Sequence, residues 1–444
     1  MLQSFQIKFF FIISTITSFI FLWGAPASMG IDLDFRYVIL LIAPLVLKKI
    51  VEDLIKKKNF TFLYLSLSIF FFLIVHGFFA KDFLNFNFFS SAIFTIYLFS
   101  VAYYYYNLIL ENKKNIIILF LTIFFISIVI TYFTDLSSNP EPFSCGALKN
   151  YLTGKNNFSS KYFFVHFISS YEFLFQENSH FAMTSVSILL FSLFLIFHNK
   201  MSKYFILILI LFMMISLLKS SATLIAGFVA SSIALILFEH KRIGYLLVGA
   251  MMLLSISLSY NFSQDTICLK KINPHFAGTN MITKQKAGTN MITKQKKDHI
   301  VIFAEGGVPL SRNEGSISAA VFFHALNVSI NSFLERPLGW GLQGYETAFS
   351  NYNKNNNVLD ARLSKYNSKD ATNNFFKIIT EFGIFGFAIY LLLGFILMNK
   401  KVSIENKFFL FPFLITQSIR GAGYFNGGFL LLMFVLLILQ FKKK

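Results

Sequence analysis

The sequence predicts an all-α polytopic membrane protein of about twelve transmembrane helices, with both termini cytoplasmic and two enlarged periplasmic loops. Three observations carry that reading. Hydrophobic residues make up 55% of the 444, 60 of them phenylalanine, and the mean hydropathy is +0.63. No soluble domain has an interior large enough to hide that much apolar surface. The apolar residues fall into runs suited to a hydrocarbon layer about 30 Å thick, and positive charge alternates between the connectors that join them.

Taken in order, the runs cover 6–23, 36–52, 60–79, 88–109, 115–134, 179–198, 203–218, 221–239, 243–260, 373–398, 407–419 and 423–441. Each reads as a helix, because only a backbone paired within itself crosses lipid and no run alternates as a barrel strand does. The even connectors are basic: Lys48, Lys49, Lys56, Lys57 and Lys58, then Lys113 and Lys114, Lys200 and Lys203, Lys241 and Arg242, and finally Lys400, Lys401 and Lys407. Lys442 to Lys444 close the chain, while the short odd connectors carry only Lys81, Lys219 and Arg420. By the positive-inside rule, the odd connectors face away from the cytoplasm. The first run and Ala25-Pro-Ala27 have the outline of a secretory signal, but only Lys8 precedes the apolar core, so a retained first helix is expected. The organisation is then helices 1–5 over 1–135, a periplasmic loop over 136–178, helices 6–9 over 179–260, a large periplasmic loop over 261–372, and helices 10–12 over 373–444.

Composition also excludes several functions. The net charge of +18 sits in topology-setting clusters between apolar runs and makes no basic face for nucleic acid. Two cysteines, Cys145 and Cys268, are too few for a thiolate metal cluster. No spacing suits a zinc site, and no phosphate-binding loop is present, so neither metal, nucleotide nor other cofactor is expected. Cys145 and Cys268 fall in the two enlarged loops; a disulfide between them and two free thiols fit the spacing equally. The decamer at 277–286 recurs unchanged at 287–296, as a duplication in a tolerant surface loop would. Residues 316–334 alternate as a packed re-entrant or surface helix does.

Ionisable groups at membrane ends are the default functional candidates. On the periplasmic face these are Glu177 and His180 at the start of the sixth run, Lys219 between the seventh and eighth, Arg312 and Arg336 in the long loop, and Arg420 between the last two runs. Arginine forms bidentate contacts with phosphate and lysine adds a point charge, so this set suits a diphosphate leaving group. Glu177 or His180 could take the proton of an attacking sugar hydroxyl. Plainer roles compete: Lys219 and Arg420 as snorkelling anchors, Glu177 as a helix cap and His180 as a packing residue. His76 and His324 read as structural. Asp32 and Asp34 have the spacing of a metal-dependent transferase motif, a pattern common by chance.

Two stretches carry a family resemblance: Arg336-Pro-Leu-Gly-Trp-Gly-Leu342, and Asn373 through Gly386 with its Glu381-Phe-Gly-Ile-Phe-Gly386 ending. Together with Glu177-Asn-Ser-His-Phe-Ala182 and Gly423-Tyr-Phe-Asn-Gly427, they resemble the O-antigen polymerase and ligase superfamily of bacterial envelope glycan assembly. Ligases place a histidine immediately before the asparagine, where this chain has Thr372, and an arginine where it has only Lys219. The resemblance therefore implies the polymerase (Wzy-type) branch. It implies an inner-membrane glycosyltransferase of lipopolysaccharide biosynthesis that moves a growing glycan from undecaprenyl diphosphate to another lipid-linked repeat unit. Glu177, His180, Arg336 and Arg420 are then the expected catalytic residues. Lys219, Arg312, Asn373, Tyr424 and Asn426 are expected to bind substrate, with membrane lipid and a chain-length regulator as further partners. A ligase and a lipid-linked oligosaccharide transporter are the alternatives.

Overall fold

The computed structural model describes residues 2–19, 35–58, 60–80, 86–138, 178–198, 222–238, 317–356, 365–421 and 423–441, with scattered positions between 205 and 215. Among these residues the regular elements are helices, and there is no strand. Helix α1 (Leu2–Phe19) is followed by a 3-10 helix, Phe35–Ile42, which runs into α2 (Ala43–Val51) and a π turn, Glu52–Lys56. Next come α3 (Thr61–Phe79), α4 (Phe86–Glu111), α5 (Lys113–Ser138), α6 (Asn178–Phe197) and α7 (Ala222–Phe238). The C-terminal part holds α8 (Ile317–Glu335), α9 (Tyr345–Asn355), α10 (Asn374–Phe382), α11 (Ile384–Met398), α12 (Ile404–Ile419) and α13 (Phe429–Phe441).

Among the described residues, two helices, Thr61–Phe79 and Asn87–Glu111, are long and apolar enough to cross a membrane. The outer face of α3 leaves Phe71 68% and Phe78 71% exposed, and α11 does the same with Leu391 at 73% and Phe395 at 77%. Aromatic and aliphatic side chains turned outward in rows gain nothing from water and suit a hydrocarbon surrounding.

Helix α12 is the hub. It packs along α6 and α7 and also meets α10 and α13. Its residues Phe408, Leu410, Phe411 and Leu414 are all buried. Gly227 of α7 lets that helix come close, since a Cβ there would lie 2.8 Å from the Thr416 methyl. Helix α13 packs in turn on α4, with Phe434 edge-on to Phe99 at 5.4 Å. A smaller core of Val328, Tyr345, Phe349, Tyr352 and Phe376 joins α8, α9 and α10.

The structure departs from the expected spans at three places. The second run, 36–52, begins as a 3-10 helix and becomes α-helical at Ala43, where Pro44 occupies the first turn and needs no hydrogen-bond partner for nitrogen. The tenth run, 373–398, is two helices and not one. Gly383 breaks it with φ 56° and ψ −129°, a conformation that side chains bearing a Cβ avoid. The twelfth run starts six residues late, because Gly423, Gly427 and Gly428 take positive φ and fold 423–428 into a turn before Phe429. The expected helix at 316–334 is present as α8. Asp32, Asp34, Cys145, Cys268 and the repeated decamer lie outside the described residues.

The break at Gly383 is held open by its neighbour. A Cβ on Gly383 would sit 2.0 Å from the Pro337 carbonyl oxygen, whereas one on Gly394 would meet nothing within 4 Å. Gly383→Ala should therefore lower stability by about 2 kcal/mol or more, from the backbone conformation and the clash together. Gly394→Ala should leave it unchanged or raise it by up to about 1 kcal/mol. Thermal unfolding of the two variants in one detergent checks this; equal midpoints would remove the structural role assigned to Gly383.

Candidate functional site

The segment after α8 lies along the end of α10 as if it were a short strand. The amide of Trp340 donates to the Thr380 carbonyl at 3.0 Å and that of Gly341 to the Glu381 carbonyl at 2.9 Å. In return, the Ile384 amide donates to the Pro337 carbonyl at 2.9 Å. Such close backbone approach leaves no room for a Cβ at Gly339, which takes φ +97° and would place one 2.2 Å from the Glu381 oxygen. The spaced glycines of the two stretches are thus two halves of one contact.

The end of α3 fixes the same loop from its other side. His76 Nε2 donates to the Leu338 carbonyl at 2.8 Å, with its ring packed on Phe382. Arg336 donates to the Ala80 carbonyl at 3.2 Å, and its guanidinium lies 3.9 Å over the Trp340 ring.

At the centre is Glu381, whose side chain is fully buried. One carboxylate oxygen accepts the Gln343 amide at 3.1 Å and the Tyr424 hydroxyl at 2.5 Å. The other accepts the Tyr345 amide at 3.3 Å and lies 3.5 Å from Lys377 Nζ, one helical turn back. Lys377 is itself buried; its ammonium donates to the Lys369 carbonyl at 2.5 Å and to Gln343 Oε1 at 3.3 Å, 5.5 Å from the Tyr424 ring centre. Taking a carboxylate out of water costs several kcal/mol unless its lone pairs are met, and here the four partners come from three segments of chain. The Tyr345 hydroxyl nearby is buried without a partner. Burial, and then the carboxylates of Asp370 and Glu381, hold it well above the ordinary phenol range.

Arg420, Gly421 and the turn 423–428 form another segment of the site. Arg420 donates to the Thr372 carbonyl at 3.4 Å, and the Gly421 amide donates to the same oxygen at 3.0 Å. The Asn426 amide closes the turn on the Gly423 carbonyl at 3.1 Å, and Gln417 donates to Gly427 at 2.6 Å. Asn373 caps α10 by accepting the Phe376 amide at 2.7 Å. Thr372 beside it is buried in the left-handed region, φ 62°.

Of the residues expected from sequence, Arg336, Asn373, Arg420, Tyr424 and Asn426 lie on the segments that meet around Glu381. The side chains of Asn373 and Tyr424 are engaged within the protein, as a helix cap and as a donor to Glu381. Glu177, Lys219 and Arg312 lie outside the described residues, and His180 falls in the first turn of α6 with its side chain likewise outside them. Sequence reasoning left Lys377 and Glu381 off the list of site residues. Their signal was an opposite-charge pair four residues apart inside an apolar run.

Glu381 is inaccessible, so it positions the segments and does not react. The chemistry open to the site belongs to the half-buried guanidiniums of Arg336 and Arg420, at either flank of this knot, which suit oxyanions. Removing one partner of the buried pair leaves the other charged and alone, so Glu381→Gln and Lys377→Met should each cost about 3 kcal/mol. The double variant should cost clearly less than their sum, as a double-mutant cycle on unfolding measures; simple additivity would mean the two do not act as a pair. Compared with protein-family models, curated proteins and solved structures, the chain matches none.

Proposed function

We propose that this chain is an inner-membrane O-antigen polymerase acting at the periplasmic face. It joins a growing glycan, carried on undecaprenyl diphosphate, to the non-reducing end sugar of another lipid-linked repeat unit. The acceptor hydroxyl oxygen forms the new bond to the anomeric carbon of the donor, and the bond from that carbon to the diphosphate breaks. The hydroxyl proton passes to Glu177 or His180, and the diphosphate leaves with the bonding electron pair. Arg336 and Arg420, with Lys219 and Arg312, stabilise the charge that develops on the leaving diphosphate. Asn373, Tyr424 and Asn426 keep that cationic surface in shape.

The observation that carries this reading is the docking of the two resembling stretches on one another. Gly339 and Gly383 meet backbone to backbone, and Glu381 ties both stretches to the turn that follows Arg420. Motifs that interlock physically act as one unit. Thr372, in place of the ligase histidine, speaks against transfer to the lipid A core, since a hydroxyl cannot do the work of an imidazole.

One observation favours a second reading, a lipid-linked oligosaccharide transporter. A helix broken at Gly383 with a buried Lys377–Glu381 pair beside the break is a feature of transporter cores.

Electrophoresis of surface lipopolysaccharide from a deletion strain separates these. A core bearing a single repeat unit is expected, because ligation survives while polymerisation is lost. Bare core would instead mean ligation or transport. Complementation with Arg336→Ala or Arg420→Ala should shorten the ladder or abolish it, each lost diphosphate contact lowering turnover by about tenfold to a thousandfold. An unchanged ladder from both variants would end the diphosphate assignment.

A further inference from the structure

The segment that leads into α10 folds against backbone preference. Asn367, Ala371 and Thr372 take left-handed φ of 55°, 56° and 62°, and none is a glycine. For Thr372, branched at Cβ, that conformation is an outlier. Such states persist only where surrounding contacts over-determine them, and they gather at functional sites. Here the contacts stand on both sides of Asp370. The Lys377 ammonium grips the Lys369 carbonyl before it at 2.5 Å. Arg420 and the Gly421 amide grip the Thr372 carbonyl after it, at 3.4 Å and 3.0 Å. What the strained turn holds in place is the side chain of Asp370.

Asp370 lies half-buried where this turn meets the one before α13. Its Oδ1 rests on the bare backbone of Gly423, 3.0 Å from where a Cβ would stand. Lys377 Nζ and the Asn426 side-chain nitrogen lie 3.9 Å and 4.0 Å from the same point. Glu381 is sealed in, whereas Asp370 reaches the surface two residues from the carbonyl that Arg420 holds. Unmet hydrogen-bonding capacity adjoins it. The Tyr345 hydroxyl, on which the Asp370 charge acts, and the Thr372 hydroxyl are both buried without partners. Buried polar groups are normally satisfied, and a lining short of partners is one that a polar ligand completes.

Chemistry narrows the ligand. A carboxylate repels phosphate, so what it binds has to donate a hydrogen bond. Among the described residues no group of His, Cys, Asp and Glu could hold a metal ion. A sugar hydroxyl donates to Asp370 and accepts from the Asn426 amide. Distance narrows it further. Two residues of chain separate Asp370 from Thr372, at most about 7 Å. A diphosphate on Arg420 would therefore bring its first sugar, and not a later one, to Asp370.

We propose that Asp370, with the Asn426 amide beside it, binds a hydroxyl of the sugar attached directly to the diphosphate, and so selects which repeat unit the site accepts. The proposal rests on the polymerase reading and on Arg420 as the diphosphate contact.

Two probes test it on the full chain in phosphatidylcholine nanodiscs. One is the lipid-linked repeat unit extracted from the deletion strain; the other is undecaprenyl diphosphate, which bears no sugar. Asp370→Asn keeps the shape and removes the charge. It should weaken binding of the repeat-unit lipid by about tenfold and leave undecaprenyl diphosphate unchanged. Asn426→Ala should weaken the same lipid, by about threefold. Full binding of the repeat-unit lipid by Asp370→Asn overturns the proposal. So does equal weakening of both lipids, because Asp370 would then only brace the turn. Should Asp370→Asn unfold at a lower temperature, Asn426→Ala decides in its place by the same two criteria. Arg420→Ala, expected to weaken both lipids, separates the two readings. If it leaves both bound while Asp370→Asn loses the sugar-bearing one, the subsite stands and the diphosphate assignment fails. If only Arg420→Ala weakens binding, the subsite fails and the assignment stands. A wild-type chain that binds neither lipid ends both.

Discussion

Everything around the candidate site follows from the need to satisfy one carboxylate out of contact with water. Glu381 takes two backbone amides, a phenol and an ammonium, and none of these can move away without leaving a buried anion short of a partner. Since the donors come from Gln343, Tyr345, Lys377 and Tyr424, the loop after α8, the helix α10 and the turn before α13 hold a single arrangement. Gln343 completes it by touching both the ammonium and the phenol. Networks of this kind hold well when complete and badly when one member is lost.

The glycines serve the same end by another route. Gly339 and Gly383 are placed where two backbones run against one another, so the spacing within each stretch records a docking surface and not a row of reactive groups. This explains why the most recognisable residues of the chain are the least accessible ones. Those with chemistry to offer, Arg336 and Arg420, sit just outside the docked segments. Each guanidinium is held by a carbonyl, at Ala80 and at Thr372, which sets where the charged end of a long side chain rests.

The helical character of the chain was legible because a long apolar run has few other ways to satisfy its backbone. The surface helix within the long loop was equally legible from its period. The interruption at Gly383 was not, because an isolated glycine in an apolar run costs little and reads as helix. Only contact with Pro337, distant in sequence, makes a break the better solution. The role of Glu381 was hidden for a related reason. A single acid near the end of an apolar run signals importance, but apart from Lys377 its partners come from positions about forty residues away on either side. Asn373 was found by its motif and assigned to substrate, while its oxygen is taken by a local amide three residues on.

The position of Tyr424 in the chain has a consequence for biosynthesis. The phenol that completes the coordination of Glu381 is made after α10, α11 and α12, so a nascent chain holds this carboxylate short of one of its four partners while those helices are already emerging from the ribosome. The site therefore matures in a late step, when the last turn docks, and not helix by helix. Docking of that last turn is thus the contact that completes the network around Glu381.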